Sequence, residues 1–327
     1  MKKVLILFGG NSYEHDVSCK SCRSILLNID RSQFQCDVVG ISYDNEWFRF
    51  NDDLSYLENG SWMDSNVFKI DNIIEYVKGF DVVFPITHGN CGEDGKLQGF
   101  LELFDIKFVG ADTCSSALCM DKALSKVLFN GADIPQVDYV IIDGEYNVKN
   151  IINKLGFPMI VKPARCGSSI GISKANNKRE LVRSIREALK YDGKVVVEKF
   201  IVARELECAI LGNDSLICSK LGEINSCNEF YDYDAKYVNN KSYTTIPDDL
   251  PDIIVDKIKN IACKAFRLVG CKDYARVDFF YDESSGTVYL NEINTIPGFT
   301  DISMYPKLIE NENISYSELI SMLINNA

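Results

Sequence analysis

Residues 274–294 read YARVDFFYD, then ESSG, then TVYLNEIN: two runs of β-branched and aromatic residues separated by a short polar turn that ends in glycine. That is the signature of an antiparallel hairpin. Folding it about Ser285 sets Asp278 opposite Glu292, and period-two alternation puts Asp278, Glu292 and Asn294 on one face with Arg276 nearby. Two carboxylates about 4 Å apart repel by roughly 4 kcal/mol at an effective dielectric near 20, so both stay ionised only with a cation between them. The donors are all oxygen, with no His or Cys among them, which fits Mg2+. A plainer reading, a wet hairpin face salt-bridged to Arg276, stays open on pattern alone.

Working back from the hairpin, a patterned helix precedes it, with Val255, Ile258, Ala262, Ala265 and Leu268 inward and Gly270 as its stop. Further back lie the strands VVVEKF, ELECAIL and LICSKLGEI, which open this third unit, and a polar stretch from Cys227 to Pro251 with four tyrosines, Tyr231, Tyr233, Tyr237 and Tyr243. Beyond the hairpin, Ser315-x-x-Glu318 opens a last helix as a capping box. From Cys114 to about Val197 a second unit carries a helix through Leu118, Leu124 and Leu128, the strands VDYVII and PMIVKP, the turn CGSSIG, the strand ISKA and a helix from Lys178. Over the first 110 or so residues, KVLILF, CDVVGIS and DVVFPITH alternate with helical patterns, which implies a parallel sheet covered by helices. The expected fold class is therefore α/β at the N-terminus and α+β beyond it, with units at 1–112, 113–197 and 198–327. Ligands of such parallel sheets sit beyond the C-terminal strand ends. Both glycine loops of the first unit, GGNSYEHD and HGNCGEDG, fall there.

The chain has 327 residues, more than one core normally reaches, and a net charge of −12, which argues against a nucleic-acid or anionic-membrane surface. No apolar run approaches the roughly 20 residues of a membrane helix, and Val4 to Phe8 is too short for the core of an export signal. The expectation is a cytoplasmic protein whose 12 cysteines are reduced thiols. Cys19-x-x-Cys22 has no second such pair and only two histidines, His15 and His88, to join it, so helix packing is the expected role.

A magnesium site implies a nucleotide, yet neither G-x-x-x-x-G-K-[ST] nor G-x-G-x-x-G occurs. Lys162 ends an apolar strand just before CGSSIG, whose backbone N–H groups and hydroxyls suit phosphates as a glycine-rich flap. Lys122 is a second candidate. On the residues alone, His88 reads as a satisfied hydrogen-bonding histidine and Glu14 as a first-turn helix acid.

Taken in order, LFGGNSYEHDVS, THGNCGEDGKLQG, VGADTCSSALCMDK, IVKPARCGSSIGISK, FYDYDAKY, ARVDFF and LNEINTIPGFTDISMYP resemble the ATP-grasp superfamily and, within it, the D-alanine–D-alanine ligases, over nearly the whole chain. The resemblance implies a pre-ATP-grasp domain followed by a two-part ATP-grasp fold. It also implies ligation through an acylphosphate for peptidoglycan precursor synthesis. Carried over position by position, Glu14 holds the ammonium of the first D-alanine, with Ser168 and Tyr237 completing a hydrogen-bonded link. Val17 and His88 lie near that substrate. ATP falls to Lys122, Lys162, Ser169, Glu198, Lys199, Glu205 and Lys236. Two Mg2+ ions, for which Mn2+ can substitute, fall to Asp278, Glu292 and Asn294. Arg276 and the Gly298 N–H form the oxyanion site, and Ser303 meets the second carboxylate. The resemblance further implies a homodimer, activation by K+, and the 227–251 stretch as a cover that keeps water from the acylphosphate.

Cys166 departs from the Glu or Leu of many relatives before GSS, in a loop that acts through its backbone, and Asp301-Ile302 replaces the commoner Ser-His before Ser303. D-alanine–D-serine ligases of the vancomycin-resistance type are the alternative. SSALCMDK is similar to some of them, whereas Met304 is similar to D-alanine ligases. A catalytically dead relative has no reason to keep both metal and oxyanion groups. A ligase for a larger substrate is disfavoured by Glu14 and Tyr237.

Overall fold

The computed structural model describes residues 1–51, 54–225 and 243–327. The expected positions Lys236 and Tyr237, with most of the expected cover, lie outside the described residues. No helix among the described residues is long and apolar enough to cross a membrane.

The N-terminal elements are β1 (Lys2–Gly9), α1 (His15–Asn28), β2 (Phe34–Ile41), β3 (Trp47–Phe50), α2 (Leu54–Glu58), β4 (Phe68–Lys69), α3 (Ile73–Val77), β5 (Val82–Pro85) and α4 (Lys96–Leu103). Their sheet runs β4-β3-β2-β1-β5. Strand β1 is apolar from Val4 to Phe8 because both its faces are covered there: Val4, Ile6 and Phe8 pack with α1, while Leu5 and Leu7 enter a second core with Leu97 and Leu101 of α4. Its β1–β2 and β1–β5 pairings are parallel, as is the bridge from Val83 of β5 to Phe108, while β3 and β4 add an antiparallel edge. The expected parallel sheet is present at β2, β1 and β5; β3 and β4, with WFRF too short to show an alternation, extend it to a mixed sheet.

Next come α5 (Thr113–Met120), α6 (Lys122–Gly131), β6 (Tyr139–Asp143), α7 (Val148–Leu155), β7 (Met159–Pro163), β8 (Ser173–Ala175), α8 (Lys178–Ala188) and β9 (Lys194–Lys199). The single helix expected through Leu118 and Leu128 is two. Asp121 breaks it by leaving helical geometry and accepting from the N–H groups of Ala123 and Leu124 as the cap of α6. The four-stranded antiparallel sheet has the order β6-β9-β7-β8, so VVVEKF, expected to open the third unit, instead lies between β6 and β7.

The rest comprises β10 (Arg204–Leu211), β11 (Ile217–Asn225), β12 (Tyr243–Thr245), α9 (Asp252–Leu268), β13 (Tyr274–Asp282), β14 (Thr287–Asn294), α10 (Met304–Glu310) and α11 (Tyr316–Asn326), with sheet order β12-β11-β10-β13-β14. The inward face of α9 is Ile254, Ile258, Ala262, Ala265 and Phe266, turned slightly from the expected one, so that Leu268 is partly exposed. Gly270, at φ +76°, ends it, and Ser315 and Glu318 form the capping box of α11. Helices α10 and α11 join the β1–α1 core, and Lys2 Nζ donates to Ile324 O at 2.6 Å, so the two ends of the chain meet. Cys19 and Cys22 are buried on α1 as packing residues. Cys218 of β11 and Cys263 of α9 face one another with Cα atoms 7.3 Å apart, wider than a disulfide spans without backbone movement.

Candidate active site

The hairpin β13–β14 places Asp278 opposite Glu292 and Arg276 opposite Asn294, the register expected from its alternation. Val277, Phe279 and Tyr281 are buried in the core beneath, which turns Arg276 and Asp278 to the other face. Pairing then shifts: Phe279 meets Leu290, so Asn291 is the extra residue of a β-bulge. The bulge lets two adjacent residues serve the polar face. Asn291 Oδ1 accepts from Lys162 Nζ at 3.3 Å, and Glu292 Oε2 lies 3.2 Å from Lys122 Nζ.

Arg276 donates through Nε and one terminal nitrogen to both oxygens of Asp278 at 2.8 Å, and its Nε lies 3.2 Å from Glu207 Oε1. Burial works against its charge, but Asp278 and Glu207 hold the guanidinium firmly protonated. Asn294 Nδ2 also donates to Asp278, at 2.9 Å. Lys122 donates to Cys166 O at 3.0 Å; burial is offset by Glu292, which raises its pKa.

The opposite wall comes from the N-terminal loops. Glu14 stands at the head of α1 and accepts a short hydrogen bond from Ser168 Oγ. A Cβ on Gly89 or on Gly167 would come within 2.6 Å of Glu14 Oε2, so glycine is what lets both loops close on this carboxylate. Ser168 and Ser169, at φ +48° and +59°, hold the left-handed turn of the flap. His88 Nδ1 lies 3.0 Å from Ile296 O and Nε2 3.0 Å from Ser21 Oγ. A carbonyl only accepts, so Nδ1 carries the proton and Nε2 accepts from Ser21. Burial lowers the His88 pKa against the pull of Glu14, which keeps the ring neutral.

Glu14, Val17, His88, Lys122, Ser168, Arg276, Glu292, Asn294, Gly298 and Ser303 all border one cleft of about 670 Å3. Asp278 sits directly behind Arg276. Lys162 and Glu198, buried and 2.7 Å apart, do not line this cleft. Ser169, Lys199 and Glu205 do not line the cleft. Gly298 packs on Ser303, whose Oγ accepts from Thr300 N at 3.0 Å.

Four residues that matter here had no sequence signal of their own. Glu93, inside the HGNCGEDG motif, accepts from Gly89 N at 2.7 Å and Ile296 N at 3.2 Å, joining the first and third sheets' loops. Burial, then the charge of Glu14, push its pKa up to about 8. Glu207 reaches Arg276 only because β10 pairs antiparallel with β13, Glu207 opposite Asp278. Lys126 and Asn291 become visible only through Glu198 and the bulge.

Among the described residues no three His, Cys, Asp or Glu gather closely enough to hold a metal by themselves. Asp278, Glu292 and the Asn294 amide are nonetheless a hard-oxygen set. Its carboxylates are now balanced by Arg276 and Lys122. That suits a cation which takes one or two carboxylates and completes its shell with water and substrate phosphates.

Residues 3–111 match the family model described as D-ala D-ala ligase N-terminus, and residues 128–325 match D-ala D-ala ligase C-terminus. The D-alanine–D-alanine ligase of Clostridium novyi is 46% identical over 332 residues, covering 99% of this chain and 97% of that protein. That of Thermoanaerobacter pseudethanolicus is 45% identical over 343 residues, covering 99% and 96%. Among solved structures, the VanG D-Ala:D-Ser ligase from Enterococcus faecalis superposes with a TM-score of 0.90 at 36% identity, covering 99% of this chain and 98% of that one. The D-alanine-D-alanine ligase from Coxiella burnetii does so with a TM-score of 0.86 at 31% identity, covering 100% and 95%. With the mixed N-terminal sheet, the two further sheets and a cleft bordered by the motifs that carried the resemblance, this chain belongs to the D-alanine–D-alanine ligase family and has its ATP-grasp fold.

Proposed function

We propose that this protein joins two D-alanines into D-alanyl-D-alanine at the expense of ATP, for peptidoglycan precursor synthesis. One observation carries the reading. A carboxylate held ready for an ammonium group, Glu14 with Ser168, faces Arg276, Asn294 and Glu292 across a single cleft. Such a cleft accommodates an amino acid whose own carboxylate points to the cation-rich wall.

In this mechanism Glu14 fixes the first D-alanine by its ammonium, with Ser168 and Tyr237 holding Glu14 in place and Val17 and His88 bordering the substrate. Lys122, Lys162, Ser169 and Lys236 contact the triphosphate, and the 198–205 segment, with Glu198, Lys199 and Glu205, receives adenine and ribose. Asp278, Glu292 and Asn294 would hold Mg2+, which would neutralise charge on the phosphates. A carboxylate oxygen of the first D-alanine takes the γ-phosphoryl group and ADP leaves. The amine of the second attacks the acyl carbon, a proton is lost from nitrogen, and inorganic phosphate departs. Arg276 and the Gly298 N–H stabilise the oxyanion that develops, while Ser303 orients the second carboxylate. His88, neutral and tied at both nitrogens, positions Ile296 and Ser21 and transfers no proton in the reaction.

Two Mg2+ ions, with Mn2+ as a substitute, K+ activation, a homodimer, a cytoplasmic location and units at 1–112, 113–197 and 198–327, the last boundary moved past the end of β9 at Lys199, belong to the same proposal. D-alanine is favoured over D-serine as the second substrate by the 45% identical D-alanine ligase relatives, and by Met304, buried against Gly222. The test is phosphate release with ATP and D-alanine, then with D-serine added, products separated by mass. D-alanyl-D-alanine dominating throughout supports the proposal; D-alanyl-D-serine dominating in the mixture replaces the second substrate and leaves the mechanism.

A further inference from the structure

Glu198 is shared by two lysines. Its Oε1 lies 2.8 Å from Lys126 Nζ and its Oε2 lies 2.7 Å from Lys162 Nζ, with all three side chains buried. Burial opposes the charge on Glu198, yet the two ammonium groups hold its carboxyl down to about 2. The two lysines are placed differently. Lys162 also reaches Asn291 on the hairpin and so stands toward the hairpin's polar face. Lys126 is 1% exposed, one helical turn beyond Lys122 on α6, with its ammonium 5.2 Å from the centre of the Tyr139 ring. Its approach to Oε1 is close but off the line of a hydrogen bond, so the pair is held by charge rather than direction.

We propose that Lys126 is a positioning residue for the nucleotide: a fixed counter-charge that keeps Glu198 compensated while Lys162 turns from Glu198 to a phosphate. The inference rests on the reading of Lys162 as a phosphate contact. Lys162 can leave Glu198 only if the buried carboxylate is not stranded, since an uncompensated buried charge is strongly unfavourable. With Lys126 in place, one cation stays. Without it, a phosphate has to compete with Glu198 for Lys162, and nucleotide binding weakens. The sequence hides this role, because Lys126 at position i+4 from Lys122 reads as one more lysine of a helix.

The test is calorimetric titration of a non-hydrolysable ATP analogue with Mg2+ into the full chain, for wild type, K126M, K126R, E198Q and K126M/E198Q, alongside the KM for D-alanine. K126M is expected to weaken nucleotide binding by about tenfold or more, while the KM for D-alanine changes by less than about twofold. K126R should restore most of the affinity. In the E198Q background, loss of Lys126 should change affinity by less than about threefold, because no carboxylate remains to be stranded. The double variant removes both charges, so it reports even if K126M alone folds poorly. K126M binding the analogue as wild type does, or losing as much affinity with E198Q as without it, overturns the inference. Wild type binding no nucleotide overturns the reading of the whole site instead.

Discussion

Glu14 on one wall of the cleft is enclosed by backbone, whereas Asp278, Glu292 and Glu198 on the other side are enclosed by lysine and arginine side chains. The first arrangement leaves no room for a side chain: a Cβ on Gly89 or Gly167 would meet the carboxylate, and the Ser168 hydroxyl donates to it. The second is made of ion pairs that can be exchanged. A phosphate or a cation entering there replaces one partner by another at little net cost in charge. The contrast matches the chemistry. A small ammonium group needs a rigid, size-limited seat, while a triphosphate brings charges that must be met and later released.

Arg276 is the member of the exchangeable wall that also has to stabilise charge in the transition state, so its loss should have the largest effect. Arg276→Met is expected to lower turnover by about 10²–10³-fold while nucleotide affinity changes little; steady-state kinetics beside analogue titration separates the two. Equal losses in both would erase the distinction between the walls. Gly89→Ala attacks the fixed wall. A methyl there meets Glu14 and Ser12 at once, on a backbone with φ +72°, and displacement of the carboxylate by about 1 Å should cost on the order of 10² in kcat/KM for D-alanine, again with nucleotide binding intact.

Glu93 offers a smaller effect with a pH signature. Its pKa is raised from 4.5 to about 8, chiefly by burial, so the folded state binds its proton more tightly than the unfolded chain does. The stability this contributes is complete below about pH 4.5 and is lost as pH rises through about 8. Thermal midpoints should therefore fall across that window, and Glu93→Gln should flatten this part of the profile; an unchanged slope in the variant would place the titration elsewhere. The smallest change is the control. Ser315→Ala removes the capping box of α11, whose residues do not line the cleft, and should cost about 1 kcal/mol of stability, seen as a lower denaturation midpoint with kinetics unaltered.

Much of this was legible in the sequence where a local rule sufficed. Alternation and turn position gave the Asp278–Glu292 register, and the capping box and Gly270 marked helix ends. What stayed hidden depended on partners distant in the chain. Asn291 joins the site because a bulge displaces it, and an extra residue leaves no trace in a period-two pattern. Glu93 is made unusual by Ile296, and Glu207 by strand β13. Strands β3 and β4 were missed because four and two residues are too few to show a period, and the break at Asp121 was masked by apolar spacing that continues across it.

The central claim is that the carboxylate of the first D-alanine is activated by phosphoryl transfer inside this cleft. D-alanine carrying 18O in its carboxylate, turned over with unlabelled ATP, tests it most directly. Each phosphate released should carry one 18O, since the oxygen that took the phosphoryl group leaves with it when the amine attacks carbon. Phosphate released without label, alongside dipeptide formation, would contradict it.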